Sequence, residues 1–258
     1  MRQLLGYVRL LSLVLLGVLL ALLVWPLVSA ALRDRTEHWF ARRIMAILRV
    51  KVSVHFEVPE ANFATHGPYL LYCNHVSWLD IFALNSVCPL TFIAKSEIAD
   101  WPLAGVLAKR SGTLFIERGK RHAVRQVIHE SVEVLKMGRT VAVFPEGTTG
   151  AGDEPLPFHS NFIQPAMLAQ VAVVPVSLQY QDADGRFSSK PAFLGEQTLL
   201  ENIQELLNAP SGYTVRLVFH APIPTEGYTR HALSDQAREV IQASLQGTGG
   251  SAGSKAST

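Results

Sequence analysis

Leu70-Leu71-Tyr72-Cys73-Asn74-His75-Val76-Ser77-Trp78-Leu79-Asp80 is the stretch on which the reading of the chain turns. A short apolar run opens it and reads as a strand. Asn74 to Ser77 form a polar break, and Ser77 has the character of a helix N-cap, which would bring Asp80 into the first turn of the following helix. The same pattern recurs on both sides. Lys51 to Val58 alternates Val52, Val54, Phe56 and Val58 with polar residues, as a half-buried strand does, and further strand candidates lie at Thr91–Ala94, Thr113–Ile116, Thr140–Phe144, Val171–Leu178 and Tyr213–His220. Helical stretches around Asp80–Ser86, Arg121–Met137 and Leu199–Asn208 separate several of them. Strands interleaved with helices predict an α/β fold, a mixed sheet flanked by helices.

The amino-terminal end is of another kind. From Leu10 to Leu32 nearly every residue is apolar and none is charged, which is long enough to cross a bilayer. Arg2 and Arg9 precede the run and Val28-Ser29-Ala30 resembles a cleavage site, but a signal peptide's apolar region is about 7–15 residues, so an uncleaved membrane anchor is the reading. Arg33, Arg35, Arg42, Arg43, Arg49 and Lys51 follow it and place the body of the chain on the cytoplasmic face of a cell inner membrane. Pro26 lies inside the run, so a hairpin dipping into one leaflet is an alternative to a spanning helix. Trp39, Phe40, Ile44, Ile47 and Leu48 recur at helical spacing beyond it. That stripe fits a helix on the membrane surface or one packed on the core. The expected organisation is therefore residues 1–50 as anchor and interfacial helix, 51–245 as the functional domain, and a disordered polar tail over 246–258.

A net charge of +2 and the lack of zinc-finger spacing argue against nucleic acid as a partner, and nothing calls for a metal or an organic cofactor. Cys73 and Cys88 form no CxxC pair and suit a reducing compartment as buried apolar residues. Charge is local instead: Lys95 to Arg125 holds seven basic and three acidic residues, a balance of +4 that favours anionic lipid, phosphate or an acidic carrier protein, or is simply solvated surface.

The chemistry centres on His75. Imidazole suits removal of a hydroxyl proton near neutrality, and a carboxylate on its other nitrogen, which Asp80 can supply, would fix the tautomer. On spacing alone, a capping box at Ser77–Asp80 beside a loop histidine is the favoured reading, and the company the motif keeps changes that. Three more blocks follow in order: Gly112-Thr113-Leu114-Phe115-Ile116-Glu117-Arg118, Phe144-Pro145-Glu146-Gly147-Thr148 and Val174-Pro175-Val176. Together with His75-x4-Asp80 they resemble the glycerolipid acyltransferase family, which includes 1-acylglycerol-3-phosphate acyltransferases. The resemblance covers roughly 70–178. It implies that His75 and Asp80 are catalytic, that Arg118 with Glu146, Gly147 and Thr148 binds the acceptor head group, and that acyl-CoA or acyl-carrier protein donates to a lysophospholipid. Thr149 departs from the pattern, since many members carry Arg there; Lys95, Lys120 or Arg121 are candidate replacements, and a different acceptor such as lyso-ornithine lipid is the alternative. The first expectation is formation of phosphatidic acid by direct transfer, because no GxSxG elbow is present and covalent catalysis through Cys73 is the weaker route. A lipid hydrolase and a non-catalytic lipid-binding protein are the remaining rivals.

Overall fold

The computed structural model describes residues 2–59, 67–117 and 119–247. Seven strands form one sheet: β1 (Val50–Phe56), β2 (Leu70–Cys73), β3 (Thr91–Lys95), β4 (Leu114–Ile116), β5 (Val141–Val143), β6 (Val173–Gln181) and β7 (Tyr213–Phe219). Their spatial order is β1-β7-β6-β2-β5-β3-β4. All neighbours run parallel except β6 and β7. Each strand coincides with a segment predicted from sequence, and the mixed α/β architecture is as expected.

The helices are α1 (Arg2–Leu19), α2 (Ala30–Ile47), α3 (Leu79–Asn85), α4 (Ala104–Arg110), α5 (Arg121–Lys136), α6 (Gln164–Ala169), α7 (Leu199–Asn208) and α8 (Arg230–Gly247). They cover both faces of the sheet. Because side chains alternate along a strand, Leu71 and Cys73 of β2 join a core with residues of α1, α2, α3 and α7, while Leu70 and Tyr72 join a second core with α5, α6 and α8. A sheet covered on both sides needs apolar residues at successive positions, and β2 and β5 are buried throughout.

At the amino terminus, Gln3–Leu27 is long and apolar enough to cross a membrane. It is not a free rod. A short π turn, Leu20–Val24, and a 3-10 turn, Trp25–Leu27, reverse the chain into α2, with Trp25 Nε1 donating to Thr36 Oγ1 at 2.9 Å. Gly6 and Gly17 let α1 come close: a Cβ on Gly6 would stand 2.8 Å from the Leu207 side chain, and one on Gly17 2.6 Å from Phe40. Leu10 and Leu13 enter the core, whereas Leu4, Leu5, Val8, Leu11, Leu15 and Leu19 on the other flank stay exposed. The stripe on α2 points mostly inward. Ile44, Met45 and Leu48 are buried, and Trp39 remains outside with the Arg43 guanidinium 5.8 Å from its ring centre. α8 extends through Gly247, so the expected tail lies, from residue 248, outside the described residues.

Candidate active site

β2 is flanked by β6 and β5, and its carboxyl end delivers Asn74 to Trp78 into the crevice beyond the sheet, where parallel α/β sheets usually hold ligands. Asn74 anchors the loop. Its side-chain amide donates to Leu178 O at 2.9 Å and its carbonyl accepts from Leu178 N–H at 2.7 Å, so an outer residue of β6 fixes the first residue past β2.

The histidine and the aspartate meet. His75 Nδ1 lies 2.9 Å from Asp80 Oδ2, and that same oxygen accepts the backbone N–H groups of Val76 at 2.7 Å and Ser77 at 2.9 Å. Residues five apart on a regular helix would diverge, but α3 begins only at Leu79, so His75 sits in the loop and Asp80 in the first turn below it. Half of the expected box is present: the Asp80 carboxylate accepts the Ser77 N–H, and that of Val76 besides, but Ser77 Oγ reaches only the Leu79 N–H at a long 3.4 Å. The His75 ring stacks on Phe144 with centroids 4.0 Å apart and planes 15° apart. Its Nε2 makes no hydrogen bond among the described residues, and the side chain is 19% exposed. This arrangement can take a proton from a hydroxyl outside and hold the resulting imidazolium against a buried carboxylate.

Glu146 supports the loop from β5. Its Oε1 accepts the His75 backbone N–H at 3.1 Å. Burial, with the nearby Asp80 charge adding to it, pushes its carboxyl up to about 8, against the N–H groups of His75 and Leu156 and the charge of Arg238. The raised value favours the neutral carboxyl, which presents no full negative charge to the crevice. Gly147 turns the chain at φ 68°, and its N–H goes to Phe144 O at 3.1 Å, while the Gly150 N–H goes to His75 O at 2.8 Å. Those two N–H groups are therefore committed inside the protein and unavailable to an anion. Thr148 is exposed, and the hydroxyl of Thr149 donates to the carbonyl of Phe193, whose own N–H bonds Val76 O at 2.9 Å.

The other predicted binding residues approach from farther strands. Lys95 ends β3 and is exposed at the same edge of the sheet as Glu146. β4 ends at Ile116, three strands away from β2, which is roughly 15 Å at the usual strand spacing. Arg118 lies outside the described residues. Lys120 pairs with Glu117 at 2.6 Å with both side chains more than half exposed. Sequence reading missed Tyr180, whose hydroxyl donates to Asp80 Oδ1 at 2.8 Å, and Arg238 on α8, which donates to the carbonyls of Pro155 at 2.8 Å and Leu156 at 3.2 Å. Neither has a motif spacing to His75; only the fold brings them there.

Comparison with known proteins agrees with this geometry. A family model described as Acyltransferase matches residues 51–179. The lyso-ornithine lipid O-acyltransferase of Pseudomonas aeruginosa is 38% identical over 96% of this chain and 95% of that protein. The 1-acyl-sn-glycerol-3-phosphate acyltransferase of Neisseria meningitidis is 34% identical over 82% of this chain and 81% of that protein. The crystal structure of the 1-acyl-sn-glycerophosphate acyltransferase from Thermotoga maritima superposes with a TM-score of 0.69 at 20% identity, covering 100% of both chains, and shares the fold. Half of the chain under one family model, and a relative matched over nearly its whole length, establish that this chain belongs to the Acyltransferase family.

Proposed function

We propose that the chain transfers a fatty acyl group from acyl-CoA or acyl-carrier protein to the free hydroxyl of 1-acylglycerol-3-phosphate, giving phosphatidic acid, with His75 as general base and Asp80 as its support. The observation that carries this reading is the 2.9 Å contact between His75 Nδ1 and an Asp80 oxygen already held by two backbone N–H groups, which leaves Nε2 as the ring's free proton acceptor. The acceptor hydroxyl loses its proton to Nε2 as its oxygen attacks the thioester carbonyl. An ester C–O bond forms, the C–S bond breaks, and the proton passes to the departing thiolate. Arg118, Lys95 and the exposed Thr148 bind the head group in this reading, while Glu146 holds the His75 backbone and Gly147 shapes the turn.

A lyso-ornithine lipid acceptor is the second reading. It is favoured by the P. aeruginosa relative matched almost end to end, and by Thr149, which turns its hydroxyl into the protein where other members offer a cation.

Residues 1–50 are proposed to hold the enzyme on the inner membrane with residues 51–245 in the cytoplasm. The exposed apolar flank of α1 enters the lipid while its other flank stays on the domain, which fits a one-leaflet arrangement. Mass spectrometry of products from labelled acyl thioester with each lysolipid tests the activity. Diacyl lipid is expected, with His75→Ala reducing kcat by about 10²–10⁴. Free fatty acid as the product, or undiminished turnover in folded His75→Ala, would overturn the assignment.

A further inference from the structure

Asp80 is completely buried, so its charge is supported by protein donors rather than by water. Its two oxygens are served unequally. Oδ2 receives the His75 Nδ1 contact and two backbone N–H groups, whereas Oδ1 has a single hydrogen-bonding partner among the described residues, the Tyr180 hydroxyl at 2.8 Å. Tyr180 is itself fully buried and comes from a different element, the long strand β6.

The geometry of β6 explains how a strand residue reaches this loop. β6 pairs with β2 only up to Cys73 opposite Val176, then continues for five residues to Gln181 along β7. That overhang runs beside the loop that β2 has just entered. Leu178 clamps Asn74 through its backbone, and two residues on, with its side chain on the same face, Tyr180 meets Asp80. One strand therefore fixes both shoulders of the loop that carries His75.

We propose that Tyr180 is a positioning residue of the acyl-transfer reaction, holding Asp80 Oδ1 so that Oδ2 stays on His75 and setting how strongly that carboxylate supports the imidazolium. The proposal rests on the reading of His75 as general base. A carboxylate shared among four donors is a soft partner for an imidazolium. Removing the Tyr180 hydroxyl leaves a buried oxygen without a donor and concentrates charge on the carboxylate that still faces His75, which loosens its fixed geometry while strengthening its hold on the imidazolium. The other titratable groups facing this pair are Cys73 from β2, whose thiol burial keeps protonated, and Glu146 from the β5 loop; Arg238 of α8 faces Glu146. Phe144 covers the ring and adds no charge.

The test uses the full-length enzyme in lipid or detergent with acyl thioester and lysophosphatidic acid. Tyr180→Phe is expected to lower kcat about tenfold with both KM values within about twofold, and to move the acid limb of the kcat–pH profile to higher pH, because a more concentrated negative charge favours the imidazolium. Replacing Tyr180 with 3-fluorotyrosine keeps the ring and strengthens the donor, so the limb should move the opposite way; this variant also serves if Tyr180→Phe folds poorly. In an Asp80→Asn background, adding Tyr180→Phe should change the residual kcat by less than about twofold, because the tyrosine acts through the carboxylate. Unchanged profiles in both tyrosine variants, or the same proportional loss with and without Asp80, would overturn the proposal and leave Tyr180 as packing. Full turnover in His75→Ala would instead defeat the base assignment itself.

Discussion

Cys73 stands two residues before His75, where a covalent acyl carrier is conceivable, but its thiol is fully buried, and burial with the Asp80 charge pushes it well above its usual range. A thiolate nucleophile is therefore not available there. A second constellation elsewhere has the look of a hydrolytic triad: Ser177 Oγ is 3.1 Å from His220 Nε2, and His220 Nδ1 is 2.7 Å from Glu57 Oε1. Ser177 is 2% exposed in the middle of β6 and also bonds Ser244 at 2.8 Å, so this chain of bonds ties β6, β7 and α8 together rather than meeting a substrate. Cys73→Ala and Ser177→Ala should each keep at least about half of wild-type kcat, and intact-protein mass spectrometry during turnover should find no acyl adduct; an adduct lost in either variant would establish a covalent route. For the head group, Arg118→Ala is expected to raise the acceptor KM about tenfold or more and leave the donor KM nearly unchanged, with Arg118→Lys intermediate because it keeps the charge without the bidentate fork. Equal acceptor KM values would remove Arg118 from the site.

Seven strands were legible in the sequence because each was either a short apolar run or a clean alternation, and so were five helices, α1 as an unbroken apolar run and α2, α3, α5 and α7 from apolar positions at helical spacing. Short α4 and α6 escaped notice because no start signal marks them as Ser77 marks the equally short α3, and α8 because its buried face includes Ser234 beside Leu233, Ala237 and Ile241. His75 and Asp80 could be paired in advance because the blocks that follow them in order resemble a known family, whereas Tyr180 lies 100 residues from Asp80 and nothing local marks it. Two carboxyls are buried where helix and loop dock, and they make stability depend on pH. Burial, with Asp34 adding and Arg33 and Arg139 opposing, pushes Glu37 of α2 up to about 7, and neither of its oxygens has a hydrogen-bond partner among the described residues. Glu146 is pushed up to about 8. Both folded values lie above the ordinary 4.5, so the stability these groups contribute is fully present below about 4.5 and is lost as pH rises through 7 and 8. Glu57 works in the opposite sense. Burial opposes its charge, but hydrogen bonds from His220 and the Ala221 N–H outweigh it and lower the carboxyl, so its contribution is lost only as the solution becomes acid. Thermal melts of the wild type should therefore fall from about pH 5 to pH 8 and level off above that, and Glu37→Gln should flatten the fall; a melting temperature that rises over this range would contradict the assignment.

The whole molecule joins a catalytic edge to an apolar helix that is also part of the core. Deleting residues 1–29 removes Leu10 and Leu13 from that core and uncovers Leu207 and Phe40. The expected result is a lower melting temperature and aggregation, rather than a well-behaved soluble enzyme; a monodisperse truncated protein with an unchanged melt would show that α1 is only a tether. Differential scanning fluorimetry with sedimentation velocity distinguishes the two. If, as proposed, lipid wets the exposed flank of α1 while Leu207 and Phe40 grip the other, bilayer and fold compete for the same rod. Acyl-chain order, leaflet curvature and lateral pressure then act on the enzyme as a ligand or a denaturant does, according to whether they seat the helix or draw it away. An enzyme that makes bilayer lipid would in this way feel the state of the leaflet through its own unfolding equilibrium, and its lifetime in nanodiscs of graded composition is a direct gauge of that coupling.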